Sequence, residues 1–209
     1  MIDDFKLTVY NQTDWYFIKY TSISKYGEIK MDWEKRITNI ENKIKSLEST
    51  FFSGIGFDSH KFCDSSNDLI LGNIKIPFEK GLYSHSDGDV LIHAIIDALL
   101  GGAGLKDIGT HFPDTDNQLK NADSSKFLKD VILILKKENL MIQNVDTVII
   151  TQFPKISPYT DKIKERLSEI MNVPKNKIGI KSKTAEGMGF IGEGKGIAVF
   201  AVATLKKFN

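Results

Sequence analysis

The chain has four histidines, His60, His85, His93 and His111, and three of them fall within residues 57–104 together with Asp58, Asp87, Asp89 and Asp97. Imidazole and carboxylate are the usual oxygen and nitrogen ligands of a divalent cation. Asp58 and His60 stand two residues apart, so on a strand both side chains leave the same face, as two ligands of one ion must. Asp89, His93 and Asp97 recur every four residues, while Val90, Leu91, Ile92, Ile95, Ile96, Leu99 and Leu100 fill most of the positions between and beyond them. On a helix this spacing makes a polar stripe along an apolar rod. Burying such a row is costly unless every member has a partner, and a divalent cation with hydrogen-bonded surroundings is one solution. The window reads as a metal-centred active site. Asp89 and Asp97 lie one turn either side of His93 and are candidates to hydrogen-bond its ring, with helix capping an equal alternative for Asp89.

The elements that must hold these residues follow from the patterning. Residues 51–57 read as a strand running into Asp58, and residues 69–77 as a hairpin turning at Gly72-Asn73. A helix over residues 87–100 is stopped by Gly101-Gly102. Helices are expected over 124–139 and 158–171, and strands over 145–152, 178–183 and 196–205, the last apolar enough to be buried on both faces. Strands alternating with helices after an early hairpin indicate an α+β fold, a mixed four-stranded sheet with helices on one face plus the small hairpin.

Residues 1–52 are unlike the rest and read as an N-terminal extension to a catalytic domain over 53–209. Aromatic and β-branched residues around Asn11-Gln12-Thr13-Asp14 suggest a loose hairpin. Trp33, Ile37, Ile40, Ile44 and Leu47 recur at the spacing of an amphipathic helix. The extension resembles neither a signal peptide nor a transit peptide and reads as a segment retained after a longer leader is removed, packed on the surface or disordered.

Composition limits the functions open to the chain. With 209 residues and 41% apolar content a sizeable core can form. Net charge is +1 with 28 basic and 27 acidic residues interspersed, which argues against a nucleic-acid partner. Cys63 is the single cysteine, so there is no intrachain disulfide and no cysteine-rich zinc module. The longest apolar run, residues 197–203, is far short of the roughly 18 residues that suggest a membrane span, and no membrane role is expected.

Four separated motifs carry a resemblance: Gly56-Phe57-Asp58-x-His60, His85-Ser86-Asp87-Gly88-Asp89-Val90-x-x-His93-Ala94, Asp107-Ile108-Gly109-x-x-Phe112-Pro113-Asp114-Thr115-Asp116 and Thr184-x-Glu186-x-x-Gly189-Phe190. From about residue 53 to 208 the chain resembles the 2-C-methyl-D-erythritol 2,4-cyclodiphosphate synthase family of the non-mevalonate isoprenoid pathway. The resemblance implies a lyase that closes 4-diphosphocytidyl-2-C-methyl-D-erythritol 2-phosphate into the cyclic diphosphate and expels CMP. It implies zinc on Asp58, His60 and His93, and a second cation, Mg2+ or Mn2+, on Glu186. His85 and Ser86 match positions holding the attacking phosphate, and Thr184 a phosphate-orienting hydroxyl, which makes His85 and Thr184 the catalytic candidates. Asp58, Ser59 and His60 border the substrate, Asp107, Ile108 and Gly109 match the ribose contacts, and Phe112, Pro113, Asp114, Thr115 and Asp116 match a lid over the erythritol. Thr151, Gln152, Phe153, Pro154, Lys155, Ile156 and Ser157 match the loop that reads cytosine, and Lys183, Ala185 and Phe190 flank the diphosphate. The family assembles as a homotrimer with active sites between subunits.

Two departures from the family stand out. Lys183-Thr184-Ala185-Glu186 replaces a run of threonines, removing a hydroxyl and adding a cation near the diphosphate. Glu193 stands where many members have an arginine facing the trimer axis, so isoprenoid diphosphates should be repelled there. Among the basic residues only Arg36 and Arg166 are arginine. That bias, with the extension, points to the plastid of an AT-rich eukaryotic parasite, a bacterial cytoplasm being the alternative.

Overall fold

The computed structural model of the chain describes residues 6–12, 15–21, 33–47, 50–64, 68–113, 115 and 122–207. They divide into two compact units, Met1–Lys45 and Ser46–Asn209. In the first, β1 (Lys6–Gln12) and β2 (Trp15–Thr21) pair antiparallel with Gln12 opposite Trp15. The helix expected from the five apolar positions follows as α1 (Trp33–Leu47), and the expected boundary at residue 52 falls within the next strand.

The second unit opens with β3 (Thr50–Cys63), the hairpin β4 (Leu69–Leu71) and β5 (Ile74–Ile76), and the two-residue strand β6 (Gly81–Leu82). It continues through α2 (Val90–Gly102), the single turn α3 (Ile108–His111), α4 (Ser124–Lys137) and β7 (Leu140–Thr151). Then come α5 (Thr160–Met171), β8 (Ile178–Lys183), the turn α6 (Gly189–Gly192) and β9 (Gly196–Lys207). The main sheet is mixed, as expected, but has five strands in the order β6-β3-β9-β7-β8. The additional strand is β6, too short at two residues to show any alternation in sequence. Only β7 and β8 run parallel, and α5 supplies the crossover such a pair needs.

The small hairpin turns where its sequence says. Gly72 and Asn73 have φ of 61° each, the left-handed pair of a two-residue turn that Gly and Asn tolerate best. Its register sets Leu71 opposite Ile74.

The helices cover one face of the sheet. α2 is buried almost all round, with Val90 to Ile96 and Ala98 to Leu100 at 8% exposure or less apart from Asp97. It lies directly on β3, and two glycines make that approach feasible. A Cβ on Gly56 would stand 2.0 Å from the Ala94 carbonyl oxygen, and one on Gly54 would stand 2.1 Å from that of Ala98. Gly54, Gly56, Asp58 and His60 share one face of β3, so the contact that seats the helix also aims Asp58 and His60 toward it.

The other sheet face corrects an expectation. β9 is not buried on both sides: Ile197, Val199, Ala201, Ala203 and Leu205 are enclosed, whereas Phe200 and Val202 are 43% and 44% exposed. They pair with Phe57 and Ile55 of β3, themselves 51% and 69% exposed, and the Phe57 and Phe200 rings lie 4.8 Å apart. The outer face thus carries an apolar patch that is uncovered within one chain.

Candidate active site

Asp58, His60 and His93 converge. Each offers one ligand atom, and these atoms lie within 4.8 Å of one another. Asp58 Oδ2 is 2.9 Å from His60 Nε2 and 3.0 Å from His93 Nδ1, and the two ring nitrogens are 3.4 Å apart. β3 contributes the first two residues and α2 the third, so the glycine-mediated contact between these elements sets the geometry.

Hydrogen bonds show which nitrogen of each ring carries a proton. His60 Nδ1 lies 2.8 Å from the Tyr83 carbonyl oxygen; a carbonyl only accepts, so this nitrogen carries the proton and Nε2 faces Asp58 with its lone pair. At His93 the Ser124 hydroxyl donates to the Asp87 carboxylate, which leaves its oxygen, 2.9 Å from His93 Nε2, to accept from that N–H. Ser86 Oγ stands 3.1 Å from the same nitrogen. Nδ1 is then free to face Asp58. Two lone pairs and a carboxylate turned on one point repel one another unless a cation lies among them, so the donor set fits a divalent metal.

Of the aspartates beside His93, Asp89 takes the helix-capping alternative, and Asp97 serves another purpose than holding the ring. Asp89 caps α2, accepting from the backbone N–H groups of Gly72, Asn73 and Ile92. This is why the helix begins at Val90 rather than residue 87. Complete burial pushes its pKa up to about 6 against those three donors. Asp97 accepts from Ile108 N at 2.8 Å and so ties α3 to α2; burial raises its pKa as well. Neither contacts the His93 ring. The residues that do, Ser86 and Ser124 with Asp87 behind, do not stand out in the sequence as a set, because Asp87 and Ser124 are 37 positions apart and serine at a helix start is ordinary. Cys63 stays outside the cluster, its Sγ directed at the Gly81 carbonyl oxygen.

A cleft of about 440 Å3 opens over the three ligands. Asp58, Ser59, His60, His85, Ser86 and His93 line it together with Ile108, Gly109 and Phe112. Lys61, Tyr83, Ser84, Asp97 and Phe127 complete it; of these only Asp97 is marked by its sequence, although Lys61 follows His60 directly. Phe112 stacks on Phe127 at 4.6 Å. Asp107 is exposed beside the cleft, capping α3, where the Thr110 hydroxyl and N–H lower its pKa. Pro113 and Thr115 are exposed and line no part of the cleft; His111 is half buried near Phe112. Asp114 and Asp116 lie outside the described residues.

The remaining candidates gather elsewhere. Thr151 to Ser157 and Lys183 to Phe190 follow the C-terminal ends of the parallel neighbours β7 and β8, and none of them lines the cleft. They meet one another: Gly187 N donates to Gln152 Oε1 at 3.4 Å, and Thr184 donates to the Glu186 carboxylate. Thr151 Oγ1 donates to the Phe153 carbonyl oxygen, the Phe153-Pro154 peptide is cis, and Glu186 has a φ of 50°. Lys155 and Ser157 are exposed, Ile156 is buried in the core, and Ala185 is half buried beside exposed Lys183 and Phe190. One chain therefore presents two separate groups of candidate residues.

Fold and site together define an α+β enzyme in which Asp58, His60 and His93 form a cluster that could hold a metal ion. Residues 51–206 match the YgbB family, and the chain belongs to it. A 2-C-methyl-D-erythritol 2,4-cyclodiphosphate synthase of Nitrosococcus oceani is 51% identical over 152 residues, 73% of this chain and 96% of that protein. The bifunctional enzyme IspD/IspF of Aliarcobacter butzleri is 45% identical over 166 residues, 79% of this chain but 44% of that protein. Among solved structures, the Plasmodium falciparum IspF complex with CDP superposes with a TM-score of 0.67 at 39% identity, covering 76% of this chain and 97% of that one. The bifunctional IspDF of Campylobacter jejuni gives 0.74 at 36% identity, covering 78% and 44%. The chain thus spans less than half of the bifunctional relatives and nearly all of the single-function ones.

Proposed function

We propose that the chain cyclises 4-diphosphocytidyl-2-C-methyl-D-erythritol 2-phosphate to 2-C-methyl-D-erythritol 2,4-cyclodiphosphate, releasing CMP. An oxygen of the 2-phosphate attacks the β-phosphorus, and the bond from that phosphorus to the oxygen bridging it to the α-phosphorus breaks. CMP leaves with that oxygen, so the reaction needs neither water nor a protein nucleophile. The observation that carries this reading is the Asp58, His60 and His93 cluster with both ring tautomers fixed, in a chain 51% identical to a synthase of that name.

The protein's task is to bring two mutually repelling phosphates into line. Zinc held by Asp58, His60 and His93 would neutralise phosphate charge and leave a position open for a substrate oxygen. His85 and Ser86, on the cleft wall beside the ligands, donate hydrogen bonds to the attacking phosphate. Gly109 and Ile108 with Asp107 border the ribose, and Phe112 closes over the apolar side of the erythritol. Thr184 orients the diphosphate, and Glu186 holds Mg2+ or Mn2+. One carboxylate with substrate phosphates is a common site for such a cation. Residues 151–157 take the cytosine.

The two groups of residues act together across a subunit boundary in a homotrimer. Two features support this: the uncovered apolar outer face of β3 and β9, which a neighbouring subunit would bury, and the absence of residues 151–157 and 183–190 from the cleft. Residence in a plastid stroma, with a bacterial cytoplasm as the alternative, rests on the lysine-heavy composition and the extension. Glu193, ion-paired with Lys195, should prevent isoprenoid diphosphates from binding at the trimer axis. Titration calorimetry with farnesyl diphosphate tests this, and tight binding refutes it.

Incubation of the purified chain with the cytidyl substrate decides the main reading. Phosphorus NMR should show the cyclic diphosphate and free CMP, both abolished by a chelator. An open phosphate product would mean hydrolysis and overturn the assignment.

A further inference from the structure

The apolar positions of α1 are spaced 4, 3, 4 and 3 residues apart: Trp33, Ile37, Ile40, Ile44 and Leu47. A helix that packs on a globular core carries a wider stripe, whereas strict 4-3 alternation is the narrow seam of a coiled coil. In heptad register Ile37 and Ile44 occupy a, and Trp33, Ile40 and Leu47 occupy d. The described part of this seam is open to solvent: every residue from 35 to 43 is exposed, with Ile37 at 52% and Ile40 at 56%.

The charges beside the seam say what fits it. Positions e are Glu34 and Glu41, and positions g are Arg36 and Lys43. In a parallel pair, g of one helix faces e of the next heptad on its neighbour, so Arg36 meets Glu41. In an antiparallel pair g meets g and e meets e, setting like charges together. The pattern therefore selects a parallel copy of the same helix. The central run Ile37, Ile40 and Ile44 puts isoleucine at a and at one d position, the combination that favours three or four strands, while Leu47 at d also suits two.

We propose that α1 is an assembly helix through which subunits of this chain associate in parallel, most simply as a three-stranded coiled coil. This rests in part on the trimer reading given above. Two heptads are marginal alone, but attachment to subunits that already associate raises the effective concentration to the millimolar range. The connection suits this. Leu47 lies four residues before Phe51, the first exposed apolar residue of β3 and 58% exposed. Four residues span at most about 14 Å, so the helix is joined to β3 by a short link.

Cysteine cross-linking in the full chain tests the register. Under mild oxidation Ile40→Cys should form covalent dimers in up to about two of every three chains, the limit when one thiol of three is left over. Asn42→Cys, at an outward f position of the same helix, should form none beyond the unsubstituted chain. Equal yields from the two variants overturn the proposal. Sedimentation velocity gives a second readout. Ile37→Lys with Ile40→Lys should raise the concentration at which the assembly dissociates at least about tenfold, as expected for two charges in an apolar seam. An assembly of unsubstituted chains that the double variant leaves unaltered sinks the helix inference and spares the trimer. A chain that is monomeric at every concentration, with no Ile40→Cys cross-link, sinks both.

Discussion

Two serines and a carboxylate decide which nitrogen of His93 is free. With Asp87 accepting the Ser124 proton, Ser124 can only accept from His93 Nε2–H, and the lone pair of Nδ1 is left for the metal. Ser124→Ala removes that acceptor and should weaken metal binding about 10- to 100-fold, measured by competition against a coloured chelator, with the circular dichroism spectrum unchanged. An unaltered affinity would mean that Ser86 alone suffices. Asp97 makes a prediction of the opposite kind. Its pKa is raised in the folded chain, whereas the unfolded chain titrates near about 4. Between these values the native state binds more protons than the unfolded state, so stability falls as pH rises through the window. Asp97→Asn keeps an oxygen to accept from Ile108 N and removes the charge. In chelator-treated protein, urea midpoints from pH 4 to 7 should decline less steeply for the variant, and parallel curves would refute the assignment. At this scale the sequence is informative where chemistry is local. Asp58-x-His60 and His93 are legible, because a strand spacing of two puts both side chains on one face and a lone imidazole in an apolar helix must have a polar partner. The i, i+4 stripe misleads about Asp97 and leaves Asp89 between ring partner and helix cap, because spacing along a helix says nothing of the backbone N–H groups of Gly72, Asn73, Ile92 and Ile108 that claim those carboxylates.

The residues proposed to hold the metal sit on two elements, so the β3 to α2 contact is also a site contact. Gly56 is the point of closest approach, with the Ala94 carbonyl oxygen and the Ala98 nitrogen where a Cβ would go. Backbone atoms cannot rotate aside, so Gly56→Ala must push α2 off the strand. It should cost about 1–3 kcal/mol or somewhat more, and should weaken metal binding as well, because His93 travels with the helix. Thermal unfolding of the chelated protein and a metal titration separate the two effects; a destabilised variant with unaltered affinity would mean that the helix tilts about His93 rather than retreating. The Gly72-Asn73 turn and the apolar rod of α2 are legible in the sequence, because turn chemistry and a continuous apolar run are each local signals. The two-residue β6 has no period to read. β9 reads as buried on both faces because an apolar run does not say which molecule does the burying.

On the trimer reading proposed above, the apolar outer face and the two separated groups of residues have a single cause at the scale of the whole molecule: an active site completed only between subunits. His93→Ala should be inactive because it lacks a metal ligand, and Glu186→Ala should be inactive or nearly so because it lacks the second cation's carboxylate. If both groups of one site came from the same chain, mixing the two variants would restore nothing. In a closed trimer each site takes Asp58, His60 and His93 from one subunit and Thr184 and Glu186 from its neighbour. After unfolding and co-refolding at equal ratio, a given site draws an intact first group with probability one half and an intact second group with the same probability. Activity should therefore return to about a quarter of that of the unsubstituted chain. A plot of activity against mixing ratio should be a symmetric arch peaking at one to one, whereas sites contained within single subunits give a flat line at the residual level. The same mixing separates a structural trimer from a catalytic one, because subunits that associate without sharing a site would co-sediment yet fail to complement.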